Sequence, residues 1–212
     1  MEYSNSLTPK GTSKWVQTLA IIFVIASLIA PAAGSGKDPA IQVVEDLHTT
    51  LLKVMKNAEE LGYHGRYQKL VPVITACYDF PFISKIVVGR HWRELTPEQK
   101  KQFVLTFTKL SIATYASRFD GYSGERFKTL SGEHLKGDHV LVKTVLVKAN
   151  GEEVDLDYVL HQNNTTWQII NVIAQGVSDL SLKRADYSYY LKKKGFDALL
   201  EKLNEKISNY QG

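Results

Sequence analysis

The sequence predicts an α+β fold in which N-terminal helices are followed by a four-stranded antiparallel curved sheet and then by C-terminal helices. Three observations carry that expectation. Apolar residues recur at helical spacing through the first half of the chain, a block rich in Val, Ile, Leu, Thr and Tyr with turn dipeptides follows, and helical spacing returns at the end. With 44% hydrophobic and 23% charged residues over a length of 212, the composition is that of one globular domain with a real core.

The segment ahead of that domain is of another kind. Lys10 and Lys14 precede a run of 15 residues, Val16 to Ala30, in which only Gln17, Thr18 and Ser27 are polar. Pro31-Ala32-Ala33-Gly34 follows, with Ala30 and Ala32 in the A-x-A arrangement that signal peptidases accept. The run is shorter than the roughly 20 apolar residues of a spanning helix. Residues 1–33 therefore read as a cleaved signal peptide and 38–210 as a single domain. An uncleaved anchor, lengthened by Trp15 and Thr18 at the membrane interface, is the alternative, and either one exports the domain.

Within the domain, Ile41, Val44, Leu47, Leu51, Val54, Met55, Ala58 and Leu61 mark one face of a helix stopped by Gly62. A shorter helix is expected over 66–76, and Phe80-Pro81-Phe82 opens a third that ends at Gly89. Thr96-Pro97-Glu98-Gln99 is a capping box with proline at the first helical position. The helix it starts carries Phe103, Phe107, Leu110, Thr114 and Phe119 and should end at Asp120-Gly121. Four strands are expected at 126–135, 139–149, 154–162 and 166–174, joined by Lys136-Gly137-Asp138, Asn150-Gly151 and Asn163-Asn164. Two of them are apolar on both faces: Val140, Val142 and Leu146 alternate with Leu141, Val145 and Val147, and Trp167, Ile169 and Ile173 with Ile170 and Val172. A sheet with one wet face would alternate with polar residues, so apolar cover is expected on each side. Helices over 180–193 and 196–208, broken at Gly195, close the chain.

No catalytic constellation is legible. The six histidines form no H-x-x-x-H pair, and Cys77 is the only cysteine, which leaves neither a disulfide nor a standard zinc site. Gly121-Tyr122-Ser123-Gly124 is a turn sequence and not a nucleophile elbow. Asp155 and Asp157 share a strand face, which fits either a carboxylate pair or the polar side of a half-wet strand. Losing Lys10, Lys14 and Glu2 with the leader lowers the formal net charge from +4 to +3, and no basic cluster exceeds Lys192-Lys193-Lys194, so nucleic acid is not an expected partner.

Val88-Gly89-x-x-Trp92, Thr96-Pro97-Glu98-Gln99, Phe103 and Phe107 resemble the MlaC family of periplasmic lipid-binding proteins, also called the toluene-tolerance auxiliary component family. The likeness runs on through Asp157-Tyr158, Trp167, Gly176-Val177-Ser178, Arg184, Tyr187 and Gly195-Phe196-Asp197-Ala198-Leu199-Leu200, and covers about 38–205. Residues 115–127 and 176–184 look most like the hopanoid-biosynthesis-associated branch, HpnM, while Asn171 stands where general phospholipid carriers usually show Asp.

The resemblance implies a periplasmic lipid carrier in which helices and sheet enclose an apolar pocket; the chain is expected to be non-enzymatic, monomeric and without metal or cofactor. Its cargo would be a phospholipid or a hopanoid, and its partners an inner-membrane transporter of the ABC type and an outer-membrane lipid acceptor. The residues expected to line the pocket are Phe103, Phe107, Tyr115, Val142, Leu146, Leu156, Tyr158 and Trp167, with Arg118 and Arg184 at the head group. Ordinary core packing is the competing account of each apolar residue, and a surface ion pair that of each arginine. Two other functions stay open at this point: an enzyme on a similar scaffold, and a non-catalytic interaction module of a membrane transporter.

Overall fold

The computed structural model describes residues 37–211, and the leader expected at 1–33 lies outside the described residues. Helix α1, Pro39–Lys56, opens where the Asp38 carboxylate accepts from the Ala40 N–H at 2.8 Å. It ends before its apolar stripe does. The Asn57 side chain donates to the Lys53 carbonyl at 2.8 Å and closes the last turn, so Ala58 and Leu61 belong to α2, Ala58–Cys77. Gly62 then interrupts α2 at φ 56°, a conformation open to glycine at no steric cost. Two breaks thus replace the single stop that the sequence predicts.

The Asp79 side chain caps α3, Phe80–Val88, and a 3-10 turn over Gly89–Arg93 leads toward α4, Pro97–Arg118. Both halves of the capping box form: Gln99 N–H donates to Thr96 Oγ1 at 3.2 Å, and Thr96 N–H to Gln99 Oε1 at 3.0 Å. Arg66 ties α2 to α4 by donating to the Ala58 carbonyl at 3.0 Å and the Ala116 carbonyl at 2.9 Å.

Strands β1 (Arg126–Leu135), β2 (His139–Val147), β3 (Glu153–Asn163), β4 (Thr166–Ala174) and β5 (Val177–Ser178) pair in that order, each antiparallel to the next. The first four match the expected meander and β5 is an addition to it. Gln175 at φ 51° and Gly176 at φ 74° form a two-residue turn with both residues left-handed, the geometry that suits the twist of a tight hairpin. That turn sets Val177 opposite Ala174 and Ser178 opposite Ile173. Helices α5, Asp179–Lys194, and α6, Phe196–Asn209, follow.

Register shifts at Thr129/Ser131 and Val159/Leu160 add twist to the sheet. Helices α1, α2, α3 and α5 contact the sheet, and α4 and α6 pack chiefly on other helices. Val140, Val142, Thr144, Tyr158, Leu160 and Ile169 fill the inner face and are shut off from water. Helix α1 crosses β1 so closely that a Cβ on Gly132 would stand 2.9 Å from Ile41 Cδ1.

On the outer face part of the apolar cover comes from the stems of charged side chains. Lys128 lies opposite Val145 and Glu153 opposite Val147, and the two charged groups meet across β2 at 2.8 Å. Their hydrocarbon stems roof Val145 and Val147, which are 3% and 1% exposed.

Candidate functional site

The capping box fixes the start of α4, and packing of its apolar face turns Phe103 and Phe107 inward, where the two rings stack at 5.9 Å. Tyr187 of α5 meets both edge-on at 6.1 and 6.2 Å, and Trp92 meets Phe103 at 6.5 Å. From Phe107 the aromatic contacts continue through Phe80 at 6.0 Å and Tyr78 at 5.5 Å beyond it, then Tyr115 at 6.2 Å. Phe119 stacks on Tyr115 at 5.5 Å, Phe127 of β1 lies 6.4 Å further on, and His48 of α1 stacks on Phe127 at 3.9 Å. This seam runs from the α3–α4–α5 contact to the junction of α1 with the sheet. Each aromatic pair adds roughly 0.5–1.5 kcal/mol beyond its area burial.

Two polar links sit inside the seam. The Tyr78 and Tyr115 hydroxyls are 2.5 Å apart, and His48 Nε2 lies 3.0 Å from the Tyr158 hydroxyl. Burial raises the pKa of all three tyrosines, with Arg118 acting in the opposite sense on Tyr115. The same burial lowers His48 to about 3, so its ring is neutral.

The residues expected to line a pocket are distributed unevenly. Phe103, Phe107, Val142 and Tyr158 are fully buried in one core, with Val142 opposite Tyr158 across β2 and β3. Tyr115, Leu156 and Trp167 are half-buried against that core, and Trp167 sits toward the far end of β4, opposite Gln162. Leu146 is half-buried between Phe127 and Val154 in the strand register. Arg118, in the last turn of α4, and Arg184, next to Gly89 on α5, are both exposed. Neither arginine forms an ion pair among the described residues.

Two of the concavities on the described surface are bordered by none of these ten residues. One, of about 420 Å³, is polar and lined by Lys56, Asn57, Glu59 and Glu60. The other, of about 240 Å³, lies between α1 and β1, lined by Glu45, His48, Thr49, Leu52, Phe127 and Thr129. His48 escaped the sequence reading, although its place between Leu47 and Leu51 on the apolar stripe was the available signal.

Other polar side chains have structural work. Asp79, 6% exposed, accepts from Phe82 N–H at 2.9 Å, His161 Nε2 at 2.9 Å and Asn163 Nδ2 at 3.1 Å, and so pins the β3–β4 hairpin to α3. Asn171 Oδ1 accepts from the Ser178 hydroxyl at 3.2 Å and Leu180 N–H at 3.1 Å, which holds the start of α5. Asp157 accepts from Thr144 N–H at 3.0 Å, which accounts for one carboxylate of the candidate pair, and Asp155 is exposed. Burial pushes the Cys77 thiol up to about 12, far from a reactive thiolate. Among the described residues no three His, Cys, Asp or Glu side chains come close enough to hold a metal ion.

Comparison with known proteins gives the following likenesses. A family model described as MlaC protein matches residues 45–205. The intermembrane phospholipid transport system binding protein MlaC of Haemophilus influenzae is 20% identical over 205 residues, covering 92% of this chain and 94% of that protein. The toluene tolerance protein ttg2D of Pseudomonas putida is 24% identical over 183 residues, covering 84% of this chain and 83% of that one. Among solved structures, the phospholipid-binding protein from Ralstonia solanacearum, in complex with a phospholipid, aligns with a TM-score of 0.73 at 22% identity, over 82% of this chain and all of that one. The structural likeness speaks to the fold.

Proposed function

The chain belongs to the MlaC protein family, whose model covers residues 45–205, and from that premise we propose that it is a non-enzymatic periplasmic carrier which binds the hydrocarbon of a phospholipid or hopanoid. On this reading the carrier is exported by residues 1–33 and works as a monomer. It is the soluble component of an ABC-type lipid transport system, passing cargo between an inner-membrane transporter and an outer-membrane acceptor.

The aromatic seam carries the reading. It is a continuous run of aromatic contacts between helices and sheet, in a fold shared with a protein solved with phospholipid bound. Moving hydrocarbon through water costs about 0.8 kcal/mol per CH₂, so a carrier has to supply equivalent apolar cover. Phe103, Phe107, Tyr115, Val142, Leu146, Leu156, Tyr158 and Trp167 are the tail-facing residues of this proposal, with exposed Arg118 and Arg184 available to a head group. The two sequence segments that resemble the hopanoid-associated branch favour a hopanoid as cargo. Asn171 does not bear on that choice, because its amide is used to start α5.

Native mass spectrometry of the exported protein, purified from its own host and paired with organic extraction, tests the proposal. One co-purifying lipid per chain is the expected result, and its identity decides between the two classes. A bare protein mass that persists after incubation with both classes overturns the carrier reading and leaves an interaction module of a transporter.

A further inference from the structure

His48 is 4% exposed, stacks on Phe127 at an interplanar angle of 9°, and places Nε2 3.0 Å from the Tyr158 hydroxyl. Its Nδ1 is buried and has no hydrogen-bond partner. Which proton arrangement holds follows from counting unmet groups, since His48 is the one hydrogen-bond partner of the Tyr158 hydroxyl among the described residues.

If the tyrosine donates to Nε2, the neutral ring carries its proton on Nδ1 and a single N–H is left over. If Nε2–H donates instead, both the tyrosine hydrogen and a bare Nδ1 are left over. Each unmet buried group carries its full desolvation penalty, so the first arrangement is favoured. Nδ1–H is then a buried donor in need of an acceptor. Native structures keep few such groups without a functional reason.

The surroundings restrict what that acceptor is. His48 borders the concavity of about 240 Å³ under α1, together with apolar Leu52 and Phe127. Glu45, on the same wall, is already held by Lys37 and by the Thr129 hydroxyl at 3.1 Å. No lysine or arginine lines the concavity among the described residues, so an anionic phosphate would be buried there unpaired and an uncharged oxygen is favoured.

We propose that, once α1 and β1 part, this concavity opens onto His48 Nδ1 and seats an uncharged oxygen of the cargo, an ester carbonyl or a hydroxyl adjoining hydrocarbon, which accepts a hydrogen bond from Nδ1 while Leu52 and Phe127 cover the neighbouring carbons. The inference rests on the carrier reading and adds to it a polar anchor for the lipid.

The test compares matched probes on the full exported protein. One pair is a diacyl phosphatidylglycerol and its dialkyl ether counterpart, which lacks the carbonyls. The other is a hydroxylated hopanoid and its hydroxyl-free parent hydrocarbon. The wild type should bind the oxygen-bearing member of one pair about tenfold more tightly, the ratio expected for one hydrogen bond to a buried donor. In His48→Phe, which keeps an aromatic ring against Phe127 and removes the donor, that ratio should fall to about one. Which pair discriminates names the source of the oxygen.

A second readout needs no variant. The ¹⁵N-bound Nδ1 proton of His48 should shift downfield when the preferred probe loads. Equal affinity within both pairs, or a preference that survives His48→Phe, overturns the anchor. It leaves the carrier intact as long as the ether lipid or the hydrocarbon binds. Failure of all four probes to bind overturns the carrier reading itself.

Discussion

His48 is enclosed between Phe127 and Tyr158 and stays neutral in the folded protein down to about pH 3, because burial disfavours its charged form. In the unfolded chain the same group takes up a proton near its ordinary value of about 6.5. Between those values the unfolded state binds the extra proton, so stability falls as pH falls, by about 1.4 kcal/mol per pH unit from this residue. Denaturant midpoints measured from pH 7 to pH 5 should therefore show the wild type losing about 2 kcal/mol more than His48→Phe. Equal slopes for the two proteins would mean that the ring is solvated. Sequence reasoning found Phe103 and Phe107 because an aromatic stripe at helical spacing is a local signal. It did not find the His48–Tyr158 bond, since the partners lie 110 positions apart and nothing in either local pattern refers to the other.

At the scale of elements, the legible features were those whose physics is contained within a few residues. The capping box of α4 and the three expected turns are of that kind, and β1 and β4 begin and end where the sequence places them. Strand β5 was illegible because Gln175-Gly176 lacks the asparagine or aspartate that usually marks a turn with two left-handed residues. The early end of α1 depends on one side-chain bond from Asn57 to Lys53, a choice that periodicity alone does not record. Gln175 pays a conformational cost at φ 51° that asparagine largely avoids. Gln175→Asn should thus stabilise the fold by roughly 0.5 kcal/mol, read as a rise in the denaturant midpoint at unchanged slope. No change, or a loss, would show that the turn is held in place by β5 and α5 and not by its own residues.

For the whole molecule, family and layer order followed from sequence, while the spacing between the layers did not, because it depends on how tightly layers defined by separate patterns meet. The concavity of about 240 Å³ beneath α1 falls below the roughly 300–1,000 Å³ of most ligand sites, so a lipid seated there requires the layers to part. The α1–β1 seam is the boundary best suited to parting. Its cross-links are the Thr129–Glu45 hydrogen bond, the Asp38–His134 pair at 3.3 Å and the Ile41–Gly132 contact, with aromatic packing only beneath them. Ile41→Cys combined with Gly132→Cys places two thiols across that seam, where Gly132 already lies against the Ile41 side chain. Cys77, buried with its thiol pushed up to about 12, does not compete for oxidation. The oxidised double variant should exchange lipid with vesicles at least about tenfold more slowly than the same protein after reduction, since a closed disulfide holds the layers together. If both forms exchange at one rate, lipid enters by another route, and α1 is a fixed wall of the site instead of its door.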